Sequence, residues 1–519
     1  MTFFGRNNAT ITGGRRIRGA ARAAVAASVL ALSVGLPALA QETRTSMTMS
    51  HPQEPPNWNY WSTGASALAV PTFHNVLEPL VERMGDGSVA PLLAESWEIS
   101  ADGLTYTFHL RAGVKFHDGS DMGADDVVYS LLKNRESPNA IMRSPLQTIT
   151  AVEAVGPLTV RVTLSQPSQR LLSMLGHAAG IIVPEGKHET LDLATQMIGT
   201  GPYVFGEYRP DVHLQLSRFE DYWGDRPFFT DVTHRFIPDE TSAINALLAG
   251  EIDMVASVFG EGLDRIGTVA RDDRFTVIIP SPHEINYVFL STRHEVLRDI
   301  RIRQAIAHGI FRDDYLEAAQ AGYGETTCLW VVPWSEPWNS DYCPYPYDPE
   351  RSRELLREAG HPDLELDFPF VNVAEHPTIK DILAAQLSDV GITLNIRSFD
   401  LATWLERVNR DGDYQLSNLT SGVTLESFVC GGGRQPLGRP DTVECLPEFD
   451  ELVQTSDAIL DRDEYIAAMA RMAAVFSESA WVIPIHSKAT PTLTRADLVG
   501  HKPYRLRVEM DLRNLRWTD

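Results

Sequence analysis

Residues 364–396 read as strand, helix, strand, and that order constrains the fold more than any other stretch of the chain. Leu364, Leu366, Phe368 and Phe370 alternate at the period of a strand. Ile379, Ile382, Leu383, Leu387 and Val390 then recur at helical spacing and stop before Gly391, after which Ile392, Leu394 and Ile396 alternate again. A helix that connects two strands of one sheet makes them parallel and covers a face of that sheet. Just upstream, Tyr347-Asp348-Pro349-Glu350 sets Asp as N-cap and Pro at the first helical position, opening a helix that carries Leu355, Leu356 and Ala359 and ends at Gly360.

A different rule governs 105–164. Tyr106, Phe108 and Leu110 share one strand face and Thr107, His109 and Arg111 the other; Asp118-Gly119 is a turn; a helix starts near Ala124 with Val127, Val128, Leu131 and Leu132. A second hairpin turns at Gly156-Pro157, with Leu158, Val160, Val162 and Leu164 on one face. Local hairpins imply an antiparallel α+β region attached to an α/β body. A helix over 241–249, stopped by Gly250, leads into a short strand at Ile252 to Val255. The 519 residues hold about three domains' worth of chain. No break in composition divides them, which implies lobes that the chain crosses more than once.

Charge narrows the partners. Lys and Arg number 45 against 69 Asp and Glu, a net charge of −24. That excludes a phosphate-seeking nucleic-acid binder and disfavours an anionic membrane surface. The 20 Phe, 15 Tyr and 10 Trp exclude a disordered chain. The first forty residues read as an export leader. Arg6, Arg15, Arg16, Arg18 and Arg22 precede a 14-residue apolar run, Ala23 to Leu36, then Pro37 and the small-x-small site Ala38-Leu39-Ala40 before Gln41. That run is short of the roughly 20 residues that span a bilayer. No cysteine follows the cleavage site, so a lipid anchor is not expected, and the mature protein is expected to be periplasmic.

Oxidising surroundings give the four cysteines, Cys328, Cys343, Cys430 and Cys445, a structural reading. Four cysteines allow three connectivities; Cys328–Cys343 and Cys430–Cys445 are favoured because they close short loops. Metal binding is disfavoured, with no C-x-x-C and no histidine at zinc-finger spacing. Catalytic motifs are missing too: no H-E-x-x-H, no G-x-S-x-G, no phosphate-binding loop. His117-Asp118-Gly119-Ser120-Asp121 reads as a polar turn and Gly431-Gly432-Gly433 as a loop between cysteines. The chain is expected to bind rather than transform, with no cofactor; a secreted hydrolase is the rival class.

Several segments, in order, resemble one family. Leu93-Ala94-Glu95-Ser96-Trp97, Asp102-Gly103, Tyr106 to Arg111, Gly113 to Gly119 and Ala124-Asp125-Asp126-Val127 resemble the signature block of the extracellular solute-binding proteins of family 5. Gly199-Thr200-Gly201-Pro202-Tyr203, Asp221-Tyr222-Trp223-Gly224, Ala246 to Asp253 and Asp299 to Ile306 resemble its later stations. The resemblance implies a bilobal periplasmic binding protein fold, α/β with an α+β subdomain on lobe I, and two hinge crossings. It places these near Asn286 to Ser291 and near Ile483 to His486, giving a leader at 1–40, lobe I at 41–287 and 486–519, and lobe II at 288–485. It also implies a monomer that captures a peptide or other small polar solute, an oligosaccharide or an opine, and hands it to the permease of an ABC importer.

Candidate ligand residues follow from the same alignment. Tyr60, Trp61, Thr63 and Gly64 stand where the family's first strand meets the cleft, with core packing as the competing role for the two aromatics. Trp330 and Trp334, with Trp338, lie in the first cysteine loop, at the cleft rim or packed on the disulfide. Trp404 sits at helical spacing with Leu401, Leu405 and Val408 and reads as core. Thr420, Ser421 and Gly422 occupy the loop where dipeptide-binding members carry a Trp and an Asp that anchors the ligand amine. Neither residue is present here. The loop at Asn372 to Pro377 lacks the carboxylate-binding Arg of some members and offers Glu375, which either pairs a ligand cation or is solvated. A buried ligand charge without a partner costs several kcal/mol, so an ordinary zwitterionic dipeptide is disfavoured.

Overall fold

The computed structural model describes residues 44–62, 66–84, 88–258, 262–280, 282, 284–331, 341–371, 379–421, 425–430, 444–501 and 510–518. The strand–helix–strand unit forms as expected. Strands Leu364–Val371 and Ile392–Phe399 pair in parallel, Leu364 opposite Ile392 and Val371 opposite Phe399. Helix Ile379–Asp389 connects them and buries Ile379, Leu383 and Leu387. Gly391 ends the crossover at φ 98°, and a Cβ there would sit 2.5 Å from the Pro362 carbonyl oxygen. Helix Pro349–Glu358 is capped by the Asp348 carboxylate, which accepts from Arg351 N at 2.9 Å.

Beside this pair lies a four-stranded antiparallel sheet in the order Gly324–Thr326, Val482–Lys488, Glu284–Leu290, Leu416–Ser421. Pro369 has no N–H to give, and the join between the two sheets is made by side chains. Ser417 Oγ donates to Pro369 O at 2.6 Å and Trp404 Nε1 to the same oxygen at 3.3 Å. Trp404 is buried, as its spacing implied.

A second, seven-stranded sheet has the order Phe275–Ile278, Thr492–Arg495, Met254–Val255, Ser46–His51, Asp231–Phe236, His213–Arg218, Tyr203–Arg209. Its core gathers Trp58, Tyr60, Tyr203 and Phe229. The short strand expected over 252–255 covers only Met254–Val255, and helix Glu240–Ala249 begins one residue earlier than expected, on the cap Asp239. The hairpins of 94–164 form their own antiparallel sheet, ordered Ala94–Ile99, Thr105–Leu110, Thr159–Leu164, Ile149–Gly156, with helix Ala124–Glu136 packed against it. Tyr106, Phe108 and Leu110 are buried and Thr107 and His109 half-buried, the alternation read from the sequence.

The expected boundaries at 287/288 and 485/486 fall inside Glu284–Leu290 and Val482–Lys488. Those two strands pair with each other along their lengths within one sheet. The chain leaves the seven-stranded sheet at Ile278 and joins the four-stranded sheet at Glu284, and it returns between Lys488 and Thr492; the ends flanking the two crossings pair, Ile278 with Thr492 and Glu284 with Lys488. Glu284 stands opposite Lys488 at the edge of both passages, with Lys488 Nζ 3.8 Å from Glu284 Oε2. Past the second passage, Val258 N donates to Pro491 O at 2.8 Å and Thr492 Oγ1 to Ala256 O at 2.9 Å. All of Thr45–Asp519 packs as one unit.

Candidate functional site

The segments that carried the family resemblance prove to be joints of the scaffold. Glu78 is fully buried, and its carboxylate accepts from Thr200 Oγ1 at 2.8 Å, Tyr222 OH at 2.8 Å and Trp223 Nε1 at 2.9 Å. Burial raises its pKa, while these bonds and the charge of Arg513 work in the opposite direction. Thr200 and Tyr222-Trp223 thus come from two separate stations and meet on one carboxylate. Gly199 and Gly201 flank Thr200 because a Cβ there would lie 2.0 Å from Val76 O and 2.4 Å from Asn75 O. His117 uses both ring nitrogens: Nδ1 accepts from Gly199 N at 3.3 Å, so Nε2 donates to Gly201 O at 2.9 Å. Asp118 accepts from Ser120 N and Oγ. This is the polar turn read from the sequence. Arg303 is nearly buried and donates to three carbonyls, of Ser479, Leu297 and Arg298.

Of the candidate ligand residues, Thr63, Gly64, Trp334, Glu375 and Gly422 lie outside the described residues. Tyr60 is 1% exposed inside the core of the seven-stranded sheet, its hydroxyl 3.1 Å from His188 Nδ1. Trp61 is 8% exposed and donates from Nε1 to Asn134 Oδ1 at 3.0 Å. Trp61 also borders an open hollow of about 790 Å³ with Asn57, Asn59, Ser62, Lys133 and Asp192. Lys133 Nζ sits 5.7 Å from the Trp61 ring centre and 2.8 Å from Glu189 Oε1. Trp330 is 3% exposed and packs edge-on against Tyr287 at 4.4 Å and Phe428 at 4.8 Å, so it serves a core.

Thr420 and Ser421 end Leu416–Ser421, the last strand of the four-stranded sheet. Ser421 stands opposite Ile285 and Thr420 opposite Asn286, whose Nδ2 donates to Thr420 Oγ1 at 2.9 Å. Asn418 Nδ2 donates to Asn286 Oδ1 at 3.1 Å and to Tyr287 O at 2.8 Å. Sequence reasoning missed the buried pair Asn286–Asn418. Its one signal was a polar amide inside each of two apolar strands. Lys133, Asn134 and His188 were missed as well, because only the fold brings them to Trp61.

Both local disulfides are present, Cys328–Cys343 and Cys430–Cys445, with Cα separations of 5.1 and 5.4 Å. Cys430, Cys445 and Asp450 cluster, but the two sulfurs are bonded to each other and leave no thiolate for a metal.

Residues 88–424 match the sequence profile of the bacterial extracellular solute-binding proteins, family 5. The chain belongs to this family. Among family 5 relatives, heme-binding protein A of Haemophilus influenzae is 31% identical over 481 residues, 84% of either chain. The dipeptide-binding protein of Escherichia coli is 26% identical over 487 residues, 85% of this chain and 88% of that one. Among solved structures, NikA from Brucella suis in complex with Fe(III)-EDTA superposes with a TM-score of 0.80 at 24% identity, covering 91% of this chain and 100% of that one. DppA from Helicobacter pylori in complex with peptide STSA gives a TM-score of 0.76 at 22% identity, covering 92% and 99%. The family 5 fold here is the bilobal α/β binding-protein fold, one lobe bearing the antiparallel α+β subdomain. Family 5 proteins bind solutes rather than catalyse. Among the described residues, no helix is long and apolar enough to cross a membrane.

Proposed function

We propose that this chain is the solute-capturing component of an ABC importer. It takes a peptide-like or other small polar solute between two lobes and hands it to the permease in the inner membrane. It works as a monomer in the periplasm after loss of residues 1–40. One observation carries the reading: among the described residues the chain crosses between the seven-stranded and four-stranded sheets twice, after Ile278 and after Lys488, and the residues flanking the crossings pair, Ile278 with Thr492 and Glu284 with Lys488. Adjacent crossings make a pivot, and a solute that touches both lobes favours the closed state by its differential contacts. In this reading lobe I is 45–278 with 492–518, and lobe II is 284–488.

The strand Leu416–Ser421 supports a peptide-like solute. An extended ligand can pair with main chain at the end of a strand. Thr420 and Ser421 stand at that end, and Trp61 with Ser62 faces the hollow on lobe I. The missing Trp and Asp near 419–424 and the missing Arg near 372–377 weigh against a free dipeptide. They favour a solute without two terminal charges to pair: a longer peptide, a conjugate of the opine kind, or an oligosaccharide.

Thermal-shift screening tests this. A solute at 100 times its Kd adds about 2.7 kcal/mol of stability. Peptides of three or more residues, or end-blocked ones, are expected to raise Tm while free alanyl-alanine does not. No shift with any peptide, opine or oligosaccharide overturns the reading, as does esterase or glycosidase activity of the purified chain.

A further inference from the structure

One cluster of buried charge belongs neither to a core nor to the candidate ligand residues. It joins the antiparallel subdomain to a helix turn some 290 positions away in sequence. Asp457 follows helix Pro447–Ser456 and is 8% exposed. Its Oδ2 accepts from Ser168 Oγ at 2.7 Å; its Oδ1 accepts from Arg170 N at 3.0 Å and Arg170 Nε at 3.2 Å. Main chain and amide complete the contact. Gln169 N donates to Asp457 O at 2.8 Å, and Gln169 Nε2 donates to Ile459 O at 2.7 Å and Leu460 O at 2.8 Å. Arg170 reaches further, with Nη1 2.9 Å from Glu426 Oε1. From behind, Tyr106 OH donates to Ser168 O at 3.1 Å and fixes the loop to its own sheet.

We propose that Ser168–Arg170 and Asp457 form a latch that holds the two lobes together before any solute arrives. This rests on the reading that the lobes pivot at 279–283 and 489–491, because the contact lies on opposite sides of that pivot. Its chemistry suits a reversible fastener. The bonds are polar and partly charge-assisted, and the Arg170 side chain keeps 32% of its exposure, so water replaces its partners when the lobes part. The apolar share is small: Leu460, 55% exposed, rests over Gly103, where a Cβ would lie 2.6 Å from Leu460 Cδ2. Glu426 also lies a few residues beyond Thr420 and Ser421, so one short stretch of chain links the latch to the candidate ligand strand. A population already closed meets solute at a different apparent affinity from an open one, and the latch sets that population.

Small-angle scattering of the full chain, both disulfides intact and no solute added, tests the latch. Arg170→Ala is expected to shift the particle to a larger radius of gyration and a longer maximum dimension, with near-ultraviolet circular dichroism unchanged. Asp457→Asn, nearly isosteric, is expected to shift it in the same direction, and the double variant no further than Arg170→Ala alone. A radius of gyration unchanged in Asp457→Asn and in Arg170→Ala overturns the latch; should Arg170→Ala fail to fold, Asp457→Asn alone decides. The reading of function fails on a different measurement, the solute screen, so the two failures are distinguishable.

Discussion

The hydroxyl of Tyr222 donates to the buried carboxylate of Glu78 across 144 positions of sequence, at 2.8 Å. Thr200 and Trp223 donate to the same group, so one buried side chain ties two separate segments to its own.

Replacing Glu78 with Ala therefore strands the buried Thr200 hydroxyl and the half-buried Tyr222 and Trp223 donors, and removes a partner of the Arg513 charge. The expected loss is ~3–5 kcal/mol of unfolding free energy, measured by urea titration. A loss below about 1 kcal/mol would show that water satisfies those donors.

Trp330 and Thr420 separate packing from recognition. Trp330→Ala empties a core position and is expected to cost ~3–5 kcal/mol of stability. Thr420→Val removes one acceptor from Asn286 and is expected to cost ~1 kcal/mol, while weakening a peptide that raises Tm in the wild type. Equal affinity in Thr420→Val and wild type, by titration calorimetry, would take Thr420 out of the ligand surface.

Acid is expected to destabilise the chain through neutral, buried histidines. Burial lowers His188 from 6.5 to about 4, against the pull of its bond to Ile198 O. Burial, and next the charge of His51, lowers His234 to about 3. As the pH falls below about 6.5, the unfolded chain takes up protons that the folded chain refuses. Stability then declines by ~1.4 kcal/mol per pH unit for each ring until the folded pKa is reached. Urea unfolding between pH 7 and 4.5 checks the slope, and His188→Gln should flatten it by about one proton. A flat wild-type profile would contradict the burial of both rings in a neutral form.

Each disulfide closes a loop of the same length, with cysteines 15 positions apart. Removing either pair by Cys→Ser is expected to cost ~3 kcal/mol, seen as a lower urea midpoint with an unchanged slope. A pair whose removal leaves the midpoint in place would mean its loop is already held by its neighbours.

Patterns of period two and three and a half were legible wherever one face of an element meets a core. The unit at 364–396, the hairpin strands of 105–164 and the Asp348 cap all followed from residues within a few positions of one another. The expected crossing near Asn286 to Ser291 was hard to place from sequence because Ile285–Leu290 is buried on both faces and gives no sign of which sheet it joins. Tyr60 illustrates the harder limit. Whether its ring faces a cleft or a core is decided by His188, 128 positions away. Asn286 with Asn418, and Arg170 with Asp457, are likewise pairs of ordinary residues until topology sets them side by side. The resemblance itself rested on residues such as Thr200, Tyr222 and Arg303, which hold the lobes in shape; that is why it identified the family and left the solute open.

Both disulfides close on themselves within one half of the molecule, and neither reaches across the pivot. In the proposed periplasmic setting, oxidation would therefore leave the two proposed lobes without a covalent tether. On the proposed function, a reductant would leave the arc of the swing as it was. Capture of a solute would then be mechanically independent of both disulfides.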